Sequence, residues 1–172
     1  MIKYDPSRLE PVPFFTAEEL SDLHKLSSEY PLEELCGRPR ILEERSIDYA
    51  YVSSKIEGST YSKAGGSTLV KYGWNEGGKR LSDARIVLEL NATFLYVMNN
   101  AKDLDVCSKT FVKDIHAMTT SHQLRSDEQG LVRKNVVIIT GCEYKPLESP
   151  IQLEAEFDYL ISVMKDIQDP FE

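Results

Sequence analysis

With 172 residues, 41% of them hydrophobic and 28% charged, the chain has the size and mixture of one ordinary globular domain, long enough to bury a real core. Its net charge of −8, with no cluster of lysine or arginine, excludes a nucleic-acid surface. Cys36, Cys107 and Cys142 are odd in number, far apart and without a Cys-x-x-Cys pair, so they read as reduced thiols rather than zinc ligands. The polar, proline-punctuated start MIKYDPSRLEPVPFF is no signal peptide, and no apolar run approaches the roughly 18–20 residues of a membrane span. A cytoplasmic protein is the default expectation.

Pro6, Pro11 and Pro13 predict an extended arm over residues 1–15. Thr16 then caps a helix with Glu19 three residues on, in a capping box. Leu20, Leu23 and Ser27 mark its face until Tyr30-Pro31. Gly37-Arg38-Pro39-Arg40 breaks the chain before a second helix. On that helix Leu42, Ser46, Tyr49, Ala50, Ser53 and Ile56 recur at three- and four-residue steps, and this spacing predicts the buried face. Gly58 is its natural stop, because glycine takes the left-handed conformation that closes helices. Glu57 therefore falls in the last turn, where the helix dipole disfavours a carboxylate.

Residues 59–80 hold Gly65, Gly66, Gly73, Gly77 and Gly78 and read as a short helix with loops. Gly73 to Lys79 has the spacing of a phosphate-cradling loop. Arg80 stands where a Ser/Thr hydroxyl should hold Mg²⁺, however, and no apolar strand precedes it, so a mobile loop is the better reading. Ser82 and Arg85 open the next helix, with Ala84, Val87, Leu88, Asn91, Leu95 and Met98 along one face. Asn91 is expected to be a hydrogen-bonded core residue. A helix over Lys109–Ser121 carries Val112, Ile115, His116 and Thr119 on one side, and His116 reads as packed and hydrogen-bonded.

NVVIITG, residues 135–141, is rich in β-branched residues and predicts a short hairpin with its tip near Gly141. Leu153, Phe157, Leu160, Ile161, Met164 and Ile167 then line a last amphipathic helix. The fold class is mainly α with one small β element. His24, His116 and His122 have no serine or cysteine nucleophile in a recognisable setting, and the acidic residues read as solvated helix faces. Chemistry alone leaves the purpose open.

Ser53-x-x-x-Glu57-Gly58 resembles the inhibitory helix motif of the Fic (Fido) family, Ser/Thr-x-x-x-Glu-Gly/Asn. GGKRLSDARIVLELNATFLYVM resembles the helix that follows it there, with the asparagine at Asn91. FVKDIHAMTTSHQLRSDEQGLVRKNVVIITGCEYKP resembles the run from an Ile-His helix (Ile115-His116) through Gly-x-x-Arg (Gly130 and Arg133) into a flap hairpin. The resemblance spans roughly residues 40–168, and its ordered combination is more specific than any one piece.

The resemblance implies a Fic-type helical domain with a hairpin flap near 133–146. An arm and helices including the inhibitory one would occupy residues 1–60, and the first part of the core residues 61–172. Intact relatives are protein adenylyltransferases, moving AMP from ATP, with Mg, to a hydroxyl side chain of a target protein. In autoinhibited members the helix glutamate, here Glu57, pairs with an arginine of the catalytic loop. A buried arginine–carboxylate pair costs about 3–5 kcal/mol to break on one side, which suits a reversible lock. Ser53 would brace the inhibitory helix. Val136, Val137, Ile138, Ile139 and Thr140 would form an edge strand that docks a target backbone by β-addition.

The catalytic loop His-x-Phe-x-Asp/Glu-Gly-Asn is not in this sequence. Asp169-Pro170-Phe171 echoes its opening with aspartate where the histidine should be. The expectation is therefore a Fic-type core incomplete at its C-terminal side, with no catalytic or metal-binding residue. It would hold no ATP or Mg tightly and transfer nothing alone. The bare stripe of the last helix would favour a homo-oligomer. The alternative is a non-catalytic helical protein-binding module. Neither reading involves nucleic acid or membrane.

Overall fold

The structure is a computed structural model and describes residues 2–171. Its elements run β1 (Ile2–Lys3), a 3₁₀ turn (Pro6–Leu9), α1 (Ala17–Glu29), α2 (Leu32–Cys36), α3 (Pro39–Ile56), α4 (Lys63–Tyr72), α5 (Leu81–Asn100), α6 (Lys109–Thr119), β2 (Tyr144–Lys145) and α7 (Pro150–Asp166). The protein is mainly helical, and no helix among the described residues is long and apolar enough to cross a membrane. Two compact units form: residues 31–105 with 112–130, and residues 1–30 with 106–111 and 131–172. We call them the central and the terminal unit. Residue 60 marks no break, since α3, α4 and α5 pack together within the central unit.

The central core is Ala50 of α3, Tyr61, Leu69 of α4, and Ala84 and Val87 of α5. The buried face of α3 is Leu42, Ser46, Ile47, Ala50 and Ser54, which is rotated from the expected one. Ile56 is 81% exposed and Tyr49 43%. The rotation follows side-chain size: Ala50, Ser46 and Ser54 are wholly buried, and such small residues let neighbouring helices approach closely. Each serine hydroxyl is satisfied within its own helix, Ser46 donating to the Glu43 carbonyl at 2.8 Å and Ser54 to the Tyr51 carbonyl at 2.9 Å. Their polarity therefore costs little on burial.

A second departure lies on α5, where Leu88 is 41% exposed while Asp83, Glu89, Asn91 and Thr93 are buried. Asp83 accepts from the Thr60 amide at 2.9 Å and its hydroxyl at 2.8 Å. These two bonds, the amide's first, hold the Asp83 carboxyl below the usual carboxylate range. The amide oxygen of Asn91 has no hydrogen-bond partner, so the expected hydrogen-bonded core asparagine is buried but its oxygen is unsatisfied.

In the terminal unit the Thr16–Glu19 capping box is complete. The Glu19 amide donates to Thr16 Oγ1 at 3.3 Å, and the Thr16 amide to Glu19 Oε2 at 2.8 Å. The first fifteen residues are not simply extended. β1 pairs in parallel with β2, Ile2 opposite Tyr144 and Lys3 opposite Lys145. The 3₁₀ turn beyond it starts at Pro6, capped by Asp5, a place where proline's missing N–H is no loss.

The α7 stripe forms as expected, but it is not bare. Ile161 is buried, and Leu153, Phe157, Leu160, Met164 and Ile167 are half-buried. The 3₁₀ turn packs on α7, and Tyr4 donates to Glu156 Oε2 at 2.8 Å. Burial, reinforced by that bond to a carboxylate, pushes the Tyr4 hydroxyl up to about 12. Thus the arm covers part of the stripe that the sequence was expected to leave bare.

The expected hairpin is absent. Residues 136–140 belong to no strand, and the ladder partner of Tyr144–Lys145 is β1. β-Branched residues favour a strand only where another strand offers its backbone. Here the Arg133 guanidinium takes that place, donating to the carbonyls of Asn135 (2.8 Å) and Leu147. It clasps the two limbs of the segment at their base, so Gly141 (φ +79°) turns a loop rather than a hairpin.

Candidate functional site

The end of α3 is fixed by residues 53–59. The Gly58 amide donates to the Lys55 carbonyl at 3.1 Å and the Ser59 amide to the Ser54 carbonyl at 2.9 Å, with Gly58 at φ +83°. Those two bonds and that left-handed glycine are a Schellman motif. They fix Glu57 as the C-cap, its own amide reaching the Ser53 carbonyl at 3.3 Å. The Glu57 side chain is exposed, and among the described residues no lysine or arginine pairs with it. A carboxylate is thus held unpaired at the negative end of a helix, where Lys55 Nζ instead donates to the Ser59 carbonyl at 3.1 Å. Ser54, not Ser53, is the serine buried against the core. Ser53 is half-buried and lines an open apolar groove of about 480 Å³ with Tyr49, Val52, Phe94 and Met98.

Val136, Val137, Ile138, Ile139 and Thr140 lie in the terminal unit. Ile138 is 84% exposed, and all four apolar side chains of this run face solvent substantially. With Cys142, Tyr144 and Pro146 the four line a groove of about 410 Å³. The backbone here is unpaired, so it can offer hydrogen bonds to another chain.

Gly130 and His116 meet as the sequence suggests for a packed histidine. The Gly130 amide donates to His116 Nδ1 at 2.9 Å, which places the ring proton on Nε2. Gly130 sits at φ +67°, and a Cβ there would come within 2.9 Å of the Lys113 carbonyl oxygen. Both facts require glycine.

Sequence reasoning missed one constellation in the central unit. The buried Glu89 carboxylate accepts from Ser121 Oγ at 2.7 Å and the His122 amide at 2.9 Å. It also meets His122 Nδ1 at 2.6 Å, and Gln123 Nε2 at 3.4 Å. A glutamate inside the apolar run Ile86-Val87-Leu88-Glu89-Leu90 was the available signal. The set is no catalytic triad. Ser121 Oγ and Glu89 both approach the same ring nitrogen, Ser121 at 3.1 Å, whereas a relay needs base and orienter on opposite nitrogens. It is an anchor that ties residues 121–123 to α5.

The Gly73–Lys79 stretch follows a helix, α4, rather than a strand, and Lys79 Nζ is engaged with the Thr60 carbonyl at 2.6 Å. Among the described residues no group of three or more His, Cys, Asp or Glu side chains could hold a metal ion. No family model matches the chain, and no curated protein or solved structure does either.

Proposed function

We propose that this chain is the regulatory and target-docking part of a Fic-type protein adenylyltransferase, with Glu57 as its inhibitory residue. The observation that carries the reading is the unpaired Glu57 carboxylate at the Schellman-closed end of α3. Such a group is held in a fixed place yet free to receive an arginine, and a catalytic loop lying outside this sequence would supply it. The exposed Val136–Thr140 run is the surface offered to the protein target. The ordered motifs of the sequence support the reading, and function rests on the site.

The experiment has two arms. Incubated with ATP and Mg, the 172-residue chain is expected to label neither itself nor added protein, and robust self-labelling would overturn the reading. The coding sequence is then read in frame past the codon for Glu172. A histidine-led loop with Gly-Asn and two arginines is expected, and in that longer product Glu57→Gly should raise AMP transfer at least tenfold. An open frame without such a loop, or a stop codon, would sink the proposal.

The exposed apolar run at 136–139 also favours a second reading, a helical protein-binding module without chemistry. That module needs no downstream loop, so the same reading of the frame separates the two.

A further inference from the structure

We infer that the outward face of α3 is a self-complementary surface on which a second copy of this chain docks, antiparallel, about a two-fold axis between Tyr49 and Val52. Arg45, Tyr49, Val52 and Ile56 are separated by four, three and four residues. That is the spacing of a coiled-coil seam, and it runs about 16 Å along the helix. This stripe is not the face α3 gives to its own core, which is Leu42, Ser46, Ile47, Ala50 and Ser54. Val52 is 58% exposed and Ile56 81%. Beside the stripe lies the groove of about 480 Å³ walled by Tyr49, Val52, Phe94 and Met98, with Tyr49 and Phe94 ring centroids 5.2 Å apart. One face thus carries both a projecting apolar side chain and a hollow, as an isologous contact requires.

Charge selects the occupant. Arg45 stands at the start of the stripe and Glu57 just past its end, and among the described residues neither has an ionic partner. With α3 antiparallel to its copy, Tyr49 meets Val52 and Arg45 meets Ile56. The arginine stem then covers an apolar side chain while its head reaches the negative end of the copy's helix, where Glu57 caps it. The pairing occurs twice about the axis. The flank carries Asp48 and Lys55, opposite in sign and seven residues apart, and Lys55 Nζ already donates to the Ser59 carbonyl of its own chain at 3.1 Å. Asp48 also pairs with Lys63 at 2.7 Å, which leaves the flank subsidiary. A parallel copy would instead stack Arg45 on Arg45 and Glu57 on Glu57, which disfavours it.

This inference does not rest on the adenylyltransferase reading, and its readout is mass rather than activity. Sedimentation velocity of the 172-residue chain over a hundredfold concentration range should show a monomer–dimer equilibrium. Val52→Glu, at an exposed position, should weaken dimerisation at least tenfold with helical circular dichroism unchanged. Arg45→Glu and Glu57→Arg should each weaken it, and the double variant R45E/E57R should restore it. A wild-type chain that stays monomeric throughout would overturn the inference. So would a dimer indifferent to Val52→Glu, or a double variant no better than either single one.

Discussion

In the central unit, Ala50, Tyr61, Leu69, Ala84 and Val87 form one continuous apolar core, and buried polar groups such as Asp83 and Glu89 are tied to partners many residues away. The terminal unit has Ile161 as its buried hydrophobic residue among the described ones. It is held instead by discrete pairings: β1 on β2, Tyr4 on Glu156, His24 on Asp169 at 2.7 Å, and Lys109 on Glu154 and Asp158. Cores add stability in proportion to area removed from water, while exposed ion pairs contribute little each. The difference teaches where functional plasticity belongs. The central unit can hold Glu57 in place, whereas the terminal unit can spare residues 136–140 for something else.

Tyr61→Ala would break the comparison most severely. This wholly buried ring, whose hydroxyl meets the Asn75 amide oxygen, should cost about 3–5 kcal/mol, read by urea denaturation of the central helices. Ile161→Ala should cost about 2–4 kcal/mol. Its effect should fall on the terminal unit, with faster amide exchange along α7 and unchanged protection in α3 and α5. Equal loss in both units would show that they unfold as one. Glu89→Ala leaves Ser121, His122 and Gln123 without their acceptor and should cost about 1–3 kcal/mol, measured by the same denaturation.

Acid should act on the central unit through Asp83. Its folded carboxyl titrates below the ordinary value of 3.8, so its stabilising contribution is full above that value and fades as pH falls through the folded one. Stability measured from pH 6 down to 3 should therefore decline, and Asp83→Asn should flatten that decline. The smallest effect is expected at the candidate site. Glu57→Gln should change monomer stability by no more than about 0.5 kcal/mol, since the side chain is exposed. A larger loss would mean that Glu57 is structural, against both roles inferred for it.

Much of the local architecture was legible because its causes are local. Thr16 and Glu19 sit three residues apart, and Gly58 closes a helix whose last turn lies immediately before it. What escaped was set by distance along the chain. Glu89 looked like a solvated charge because its partners, Ser121 to Gln123, lie over thirty residues on. Val136–Thr140 looked like a strand because β-branched residues prefer one, yet the available partner strand, Ile2–Lys3, aligns with Tyr144–Lys145. The facing of α3 was misjudged for a subtler reason. Serines at 46 and 54 satisfy themselves within the helix and pack as small residues do, a substitution of roles that periodicity cannot register. At the end of α3, Glu57 and Gly58 close the helix as the spacing predicts, while the serine buried against the core is Ser54 rather than Ser53.

The parallel pairing of Ile2–Lys3 with Tyr144–Lys145 has a consequence for biosynthesis. About 140 residues must be translated before β1 meets its partner, which at roughly 5–20 residues per second takes on the order of 10 s. Throughout that interval α3, α4 and α5 can already assemble on the ribosome while the arm, its covering turn and Tyr4 wait unpaired. A nascent-chain chaperone would therefore find a long-lived client in the segment from Ile2 to Leu9, which waits for Tyr144 and α7.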